Sequence, residues 1–238
     1  MKKMHVLPTL SFLGIVLLAA PTASGQQTDS TVAVENVEEA TGEKAQRLFE
    51  NEYAEVMRVA LAPGDSLPRH EGGPRVAYAL GAYTIRFQQG GQDVERSFSQ
   101  GDVHFHEAGV HTVENVGDST AAFVVFERRE AELPSASAVE AETDLGEEAP
   151  AKEEELLSNE AFEVHEVTLE PGQRLPDHTG YARIVHALSD YKVMFMQDGE
   201  ETTQSFSQGD VHFHEAGPHA LRNAGDMAAE FLVVELKP

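Results

Sequence analysis

Two histidines separated by a single residue, His104 and His106, are the side chains of this sequence best suited to chemistry. They lie in a thirteen-residue segment, 97–109, that recurs without a change at 205–217, and His111 follows soon after. The second copy carries the equivalents His212, His214 and His219. Imidazole nitrogens bind iron, nickel, copper and zinc. The doubled pattern therefore indicates a candidate transition-metal site in each half of the chain.

The exact recurrence extends into a longer internal repeat. A shift of 108 residues places His178 on His70 and aligns the two halves without a gap. Other pairs at this shift are Asn51 with Asn159, Pro63 with Pro171, Arg75 with Arg183, and Tyr83 with Tyr191. Such a register predicts two copies of one domain, which we place at residues 46–128 and 156–238.

Within each copy, hydrophobic residues recur with a period of two. In residues 56–61, one face carries Met57, Val59 and Leu61, and a Pro63-Gly64 turn follows. The same alternation in residues 83–87 places three large side chains on one face: Tyr83, Ile85 and Phe87. Alternation over short segments bounded by turns is typical of β-strands. Many short strands predict an all-β antiparallel sandwich or barrel.

The repeated segment resembles the second motif of the cupin superfamily, which is a Gly-Asp turn, a strand, a Pro-x-Gly turn, a histidine and an asparagine. Gly101-Asp102, Gly109, His111 and Asn115 match it. The second copy matches with Gly209-Asp210, Gly217, His219 and Asn223. Two features depart from the motif. Glu107 and Glu215 stand where proline is usual, and the spacing from glycine to histidine is one residue shorter.

The first cupin motif is reduced in this chain. Gly64 and His70 fit its start, but Gly72 occupies the place of its second histidine, and Arg75 lies near where its glutamate would fall. The second half repeats this departure with Gly172, His178, Gly180 and Arg183. The chain thus resembles a bicupin, with two tandem jelly-roll barrels joined by an acidic linker. The likeness is close for the fold and partial for the usual four-ligand metal site.

The resemblance implies a divalent metal held inside the barrel by three imidazoles and a carboxylate, and the metal could be Fe, Mn, Ni, Cu or Zn. Residues two apart on a strand point to the same side, and in cupins that side of this strand tends to face the interior. The candidate ligands are then His70, His104, His106, His111, His178, His212, His214 and His219. We favour His70, His106 and His111 as the triad, with His178, His214 and His219 as its equivalents. If the paired histidines instead point outward, two imidazoles remain inside a metal-free pocket.

Four charged residues are candidates for a catalytic role: Glu107, Glu215, Arg75 and Arg183. Either glutamate could be a general base or orient a ligand histidine, or it could be an exposed turn residue. Either arginine could hold an anionic group or form a structural ion pair. His165 and His186 have no histidine counterpart in the first half, so we expect them to be structural.

The composition excludes several classes of partner. The formal net charge is −24 and the pI is about 4.7, whereas nucleic-acid binding requires a basic face. Anionic membrane surfaces are disfavoured for the same reason. The absence of cysteine excludes disulfides, thiolate nucleophiles and cysteine-bound iron–sulfur clusters. A small-molecule ligand and a homo-oligomer both remain compatible with the sequence.

The segments before and between the two repeats predict a signal peptide, a leader and a linker. Lys2 and Lys3 followed by the apolar run Leu10–Ala20 are typical of a signal peptide over residues 1–25, with an uncleaved anchor as the alternative. We expect a periplasmic or secreted protein with a disordered acidic leader at 26–45. We also expect an acidic linker at 129–155, with a helical turn near 151–157.

Three classes of function fit these observations. The chain could be a metal-dependent enzyme acting on a small polar molecule, a binding protein without turnover, or a structural cupin without metal. The fold alone does not decide between them. The linker also favours two halves that fold separately.

Overall fold

The computed structural model describes residues 44–134, 151–197 and 200–238, and in these ranges the regular structure is formed by antiparallel β-strands. The first half contains β1 (Ala45–Glu50), β2 (Ala54–Leu61), β3 (Ser66–Gly72), β4 (Arg75–Ala79), β5 (Tyr83–Gln89), β6 (Gln92–Phe98), β7 (Val103–His106), β8 (Gly109–Asn115) and β9 (Ala121–Arg128). The second half contains β10 (Lys152–Ser158), β11 (Phe162–Leu169), β12 (Arg174–Gly180), β13 (Ala182–Ala187), β14 (Tyr191–Gln197), β15 (Glu200–Phe206), β16 (Val211–His214), β17 (Gly217–Asn223) and β18 (Ala229–Leu236). Across the described residues, no helix has the length and apolar character needed to cross a bilayer.

Each half consists of a five-stranded and a four-stranded sheet. In the first half the orders are β1-β2-β9-β4-β7 and β3-β8-β5-β6. The second half has the same two orders, β10-β11-β18-β13-β16 and β12-β17-β14-β15. The sheets of a half remain separate, and none of these four sheets closes on itself. β7 and β6 are therefore edge strands of the first half, and β16 and β15 of the second.

The two sheets of the first half enclose an apolar core. Val59 and Leu61 of the five-stranded sheet pack with Ile85 and Val113 of the four-stranded sheet. The alternation of β2 and β5 places these side chains on the inward faces, as the sequence predicts. The second half has the equivalent core, with Val167, Leu169, Val193 and Leu221.

A third core joins the two halves. The outward faces of the two five-stranded sheets share one apolar cluster, in which Phe126 and Phe162 are both completely buried. The ring of Phe162 lies 6.1 Å from that of Phe105, and Phe213 stacks on Tyr53 at 5.8 Å. The described residues accordingly all belong to one compact unit.

The asparagine at the end of β8 forms side-chain hydrogen bonds with backbone groups of neighbouring segments. Asn115 is completely buried, and its side-chain amide donates to the carbonyls of Leu61 and Ser119 at 2.8 Å each. Its side-chain oxygen accepts from Gly117 at 3.0 Å. A buried amide with all of these partners fixes the end of β8, and therefore the position of His111. Asn223 repeats the arrangement after β17.

Two predicted boundaries need correction, and other predicted segments lie outside the described residues. The leader was expected to extend to residue 45, but β1 begins at Ala45. The linker was expected to extend to residue 155 with a helical turn, but Lys152–Ser158 is strand β10, because it pairs with β11. The signal peptide, the leader up to residue 43 and residues 135–150 of the linker lie outside the described residues.

Cutting the chain between its halves should leave the two fragments bound to one another. A protease site introduced at Ala138 would separate the halves in sequence, but dissociation would expose the shared core to water. Burial of each large apolar side chain contributes about 1.5–3 kcal/mol. We expect the cleaved protein to elute with the uncut protein in size-exclusion chromatography. Two soluble fragments that elute separately would contradict the shared core.

Candidate functional site

The four predicted histidines of the first half line one cavity of about 390 Å³. β3 pairs with β8 so that His70 lies directly opposite His111, with ring centroids 4.0 Å apart. β7 pairs with β4 and brings His104 and His106 to the same cavity from the other sheet. The structure therefore places the histidine pair of the repeated segment inside, beside the two flanking histidines.

Backbone hydrogen bonds select the tautomer of His70 and His111. Nδ1 of His70 lies 2.7 Å from the carbonyl oxygen of Pro68, and Nδ1 of His111 lies 3.1 Å from that of Gly109. A carbonyl oxygen only accepts, so each Nδ1 carries the proton and donates it. Each neutral ring then has its lone pair on Nε2, which is the form that binds a metal while its other nitrogen is held by an outer partner.

Aromatic rings separate the two histidine pairs. Phe87 lies 4.2 Å from His106 and 5.3 Å from His111, measured between ring centroids. His104 meets His106 edge-on at 4.9 Å and stacks on Phe98 at 4.0 Å. Nδ1 of His104 is buried without a hydrogen-bond partner. The cavity thus contains two imidazole pairs on opposite walls rather than one closed cluster.

The distances between ligand atoms give a direct test of the predicted triad. Within residues 44–134, 151–197 and 200–238, the group whose three potential ligand atoms lie within 4.8 Å of one another is Glu155, Glu163 and His165. The nitrogens of His70, His106 and His111 do not meet this criterion. The expected triad therefore shares a cavity, but its three nitrogens do not converge on one point in this structure.

A buried arginine and a partly buried glutamate lie against Gly72. Arg75 on β4 is the cross-strand neighbour of Glu127 on β9 and is only 4% exposed. A Cβ atom on Gly72 would lie 3.0 Å from both Arg75 Nη1 and Glu127 Oε2, and 3.3 Å from His111 Cε1. Glycine at this position leaves the space that the two charged side chains fill.

The hydrogen bonding of Arg75 is incomplete. Its Nη1 donates to the carbonyl of Gly73 at 2.9 Å and to that of Glu107 at 3.4 Å. Its Nη2 is buried and has no partner. Burial lowers the pKa of Arg75 to about 10, and the charge of Glu127 opposes this shift. The guanidinium is therefore charged at neutral pH and has a free N–H group.

Burial and Arg75 keep the cavity histidines neutral. Desolvation, followed by the charge of Arg75, lowers the pKa of His111 to about 3. Desolvation, followed by the neighbouring His104 and then Arg75, lowers the pKa of His106 to about 2. The pKa of His104 falls to about 4, mainly through burial. Each ring therefore has a lone pair available at neutral pH.

The second half has the same strand arrangement and a smaller cavity of about 220 Å³. The rings of His178 and His219 lie 4.1 Å apart, and Nδ1 of His219 donates to the carbonyl of Gly217 at 3.2 Å. His212 and His214 line the same cavity, together with Arg183 and Glu235. All eight predicted metal-site histidines therefore lie in one cavity or the other.

The glutamates proposed as catalytic groups do not lie in these cavities. The side chains of Glu107 and Glu215 are exposed. The backbone carbonyl of Glu107 is the group that meets the site, because it accepts from Arg75 at 3.4 Å and from Gln89 Nε2 at 3.1 Å. The exposed-turn alternative fits both side chains, whereas Arg75 and Arg183 do line the cavities.

The sequence interpretation missed three features of the site. Glu127 and Glu235 were not identified, although Glu127 continues the inward alternation of Phe123 and Val125 in β9. Phe87 was assigned to a strand face without a role in the cavity. His165 was expected to be structural, but it lines the second cavity and lies 3.0 Å from Glu163.

Comparisons with known proteins identify the fold. No family model matches the chain, and no curated protein matches it. A structure of oxalate decarboxylase aligns with a TM-score of 0.60 at 16% identity, covering 81% of this chain and 72% of that protein. A Bacillus subtilis oxalate decarboxylase studied for its Mn(II) centres gives 0.58 at 16% identity, covering 81% and 75%. A cupin 2 barrel protein from Leptotrichia buccalis gives 0.49 at 17% identity, covering 81% and 88%. The chain has a cupin-like all-β fold.

The metal-free protein should become less stable as the pH falls from about 7 to about 5. Unfolded histidines bind protons near pH 6.5, whereas the pKa values of His106 and His111 in the folded protein are about 2 and 3. Unfolding therefore takes up protons over this interval. Each such histidine lowers the free energy of unfolding by about 1.4 kcal/mol per pH unit below its unfolded pKa.

Urea denaturation at several pH values measures this slope. Replacing His106 by glutamine should reduce the slope, whereas Glu127, whose pKa is raised by burial, acts in the opposite direction. A His165→Gln variant provides the comparison, since that ring lies between carboxylates. If the slope of the His106→Gln variant equals that of the parent protein, His106 is not held neutral by the cavity.

Proposed function

We propose that this chain is an exported bicupin that binds a divalent transition metal through its cavity histidines, with a small polar molecule as the ligand of the site. We also propose that the chain forms two tandem jelly-roll barrels, and that the first cupin motif of each lacks the usual second histidine and glutamate. One observation carries it: each cavity gathers four histidines, and backbone carbonyls accept from Nδ1 of His70, His111 and His219, so that each neutral ring has its lone pair on Nε2.

The donor set fits a metal in its chemistry. His70 and His111 would supply two neutral imidazoles from neighbouring strands, and His104 and His106 provide further nitrogens on the opposite wall. His178, His212, His214 and His219 have the same roles in the second half. Imidazole sites suit iron, nickel, copper and zinc, and the named relative with Mn(II) centres makes manganese a further choice. A bound metal would act as a Lewis acid toward an oxygen atom of the ligand.

The protein groups around the histidines have separate tasks. Phe87 gives the cavity an apolar surface beside both imidazole pairs, because its ring contacts His106 and His111. Arg75 offers its free N–H group to an oxygen of the ligand. Turnover of the ligand would make the chain a metal-dependent enzyme, with Arg75 and Arg183 as the charged groups nearest the reacting molecule.

A cupin that binds its ligand without metal is the second candidate. Two observations favour it: the nitrogens of His70, His106 and His111 do not converge, and the positive charge of Arg75 lies beside them. A cation beside the imidazoles opposes the binding of a second cation. In this alternative the lone pairs of the histidines accept hydrogen bonds from the ligand.

Replacing one flanking histidine in each half should remove the bound metal. His111→Ala combined with His219→Ala deletes one imidazole from each cavity, and elemental analysis of the purified protein should show metal reduced to background. His186→Gln is the matched control, because His186 is equally buried but lies at the junction between the halves. Unchanged metal content in the double variant would reject the histidine site. A parent protein without metal would favour the second candidate.

Removal of the signal peptide during export should shorten the chain. The signal-peptide pattern places cleavage after Gly25, so N-terminal sequencing of protein recovered from outside the cytoplasm should begin at Gln26. A chain recovered there with its first 25 residues intact would instead support the membrane-anchor alternative.

A further inference from the structure

The edge strands of the first half border a groove of about 720 Å³. β6 contributes Val94, Arg96 and Phe98 to its wall, and β7 contributes His104 and His106. β6 and β7 belong to different sheets and are not paired with each other. The gap between the sheets therefore opens the interior of the first half at this side.

The groove adjoins the histidine cavity. Four residues line both spaces: Ile85, Phe87, His104 and His106. The cavity contains the buried Arg75, and the groove contains Arg96 and Arg69. A molecule lying in the groove would therefore contact His104 and His106, which also line the cavity that contains Arg75.

The charge of the groove opposes that of the chain as a whole. The net charge of the protein is −24, but the charged side chains that line the groove are Arg69, Arg96 and Glu107. Among the residues that the structure describes, no carboxylate lies within 4.0 Å of the guanidinium of Arg69 or Arg96. By contrast, Arg86 on the outward face of the same sheet pairs with Glu114 at 2.9 Å.

Arg75 supplies a second, buried cationic position. The residue is only 4% exposed, and its buried Nη2 has no hydrogen-bond partner. A buried N–H group left without an acceptor is energetically unfavourable, and an anionic oxygen would satisfy it with a charge-assisted hydrogen bond.

The second half lacks this arrangement. At the shift of 108 residues, Gln204 replaces Arg96 and Asp177 replaces Arg69. The second cavity is smaller and includes Glu153 and Glu163 in its lining. The basic groove is therefore a property of the first half and is not required by the fold that both halves share.

We infer that the first half binds an elongated organic molecule with an anionic group at each end, one held by Arg75 in the cavity and the other by Arg69 and Arg96 in the groove. This inference rests on the proposed function, because it names the ligand class of the same cavity. The bound molecule would lie alongside His104 and His106, where its middle part contacts Phe87 and Phe98. Each chain then binds one such molecule.

Calorimetric titration of the purified full-length protein with succinate, glutarate and adipate tests this inference, with acetate as the single-charge comparison. We expect at least one dicarboxylate to bind ten-fold or more tightly than acetate, with one molecule per chain. The combined variant Arg69→Gln, Arg96→Gln should lose at least ten-fold in dicarboxylate affinity, while its acetate affinity and its metal content remain unchanged. Arg86→Gln is the matched control and should bind as the parent does.

Other outcomes separate this inference from the proposed metal function. If no dicarboxylate binds more tightly than acetate, or if the combined variant binds as well as the parent, the inference is overturned even when the metal content is intact. If dicarboxylates bind as expected to a protein that carries no metal, the inference stands and the metal function falls. Two molecules bound per chain would contradict the assignment to the first half.

Discussion

The first-half site depends on the charge of the buried Arg75 and that of its partly buried cross-strand neighbour Glu127. A guanidinium with 4% exposure requires a nearby negative charge, and β9 supplies it directly opposite. The pair needs the space that Gly72 leaves open. The arginine charge also disfavours protonation of His106 and His111, so it helps to keep the rings in their neutral, ligand-binding form. The charges of these two cross-strand neighbours therefore connect the glycine and the strand register to the chemistry of the histidines.

The two halves share one strand arrangement but differ in the residues around their cavities. Strand order, histidine placement and the arginine–glutamate pair are repeated. The surroundings differ: Arg47 and Arg129 bind Glu55 at the mouth of the first cavity, whereas the second has His165 and Glu163 with Lys237. The shared core between the five-stranded sheets fixes the halves to one another. The residues beside the two cavities therefore differ, whereas both halves contribute to the same interface.

Local patterns in the sequence predicted much of this fold. Alternation identified β2 and β5, and spacing of two placed His104 and His106 on one side. Features that depend on distant pairing were not predictable in this way. The acidic segment Lys152–Ser158 is a strand because β11 lies beside it, and β4 is buried on both faces because the other half covers it. The partnership of Arg75 and Glu127 joins residues far apart in sequence, and no local pattern indicates it. The position of Phe87 between the histidine pairs likewise depends on the packing of two sheets.

The central claim is that His70 and His111 are neutral rings with the proton on Nδ1 and the lone pair of Nε2 directed to the cavity. Nitrogen-15 NMR of the metal-free protein, with histidine signals assigned by substitution, reports the tautomer and the charge of each ring directly. The account predicts that both rings have a protonated Nδ1 and an unprotonated Nε2. It also predicts that the His111 signals stay constant from about pH 7.5 to about pH 5.5, because its pKa is lowered to about 3, and that burial lowers the pKa of His70 below its ordinary value. Rings that carry the proton on Nε2, or that titrate near the unfolded histidine pKa of about 6.5, would contradict it.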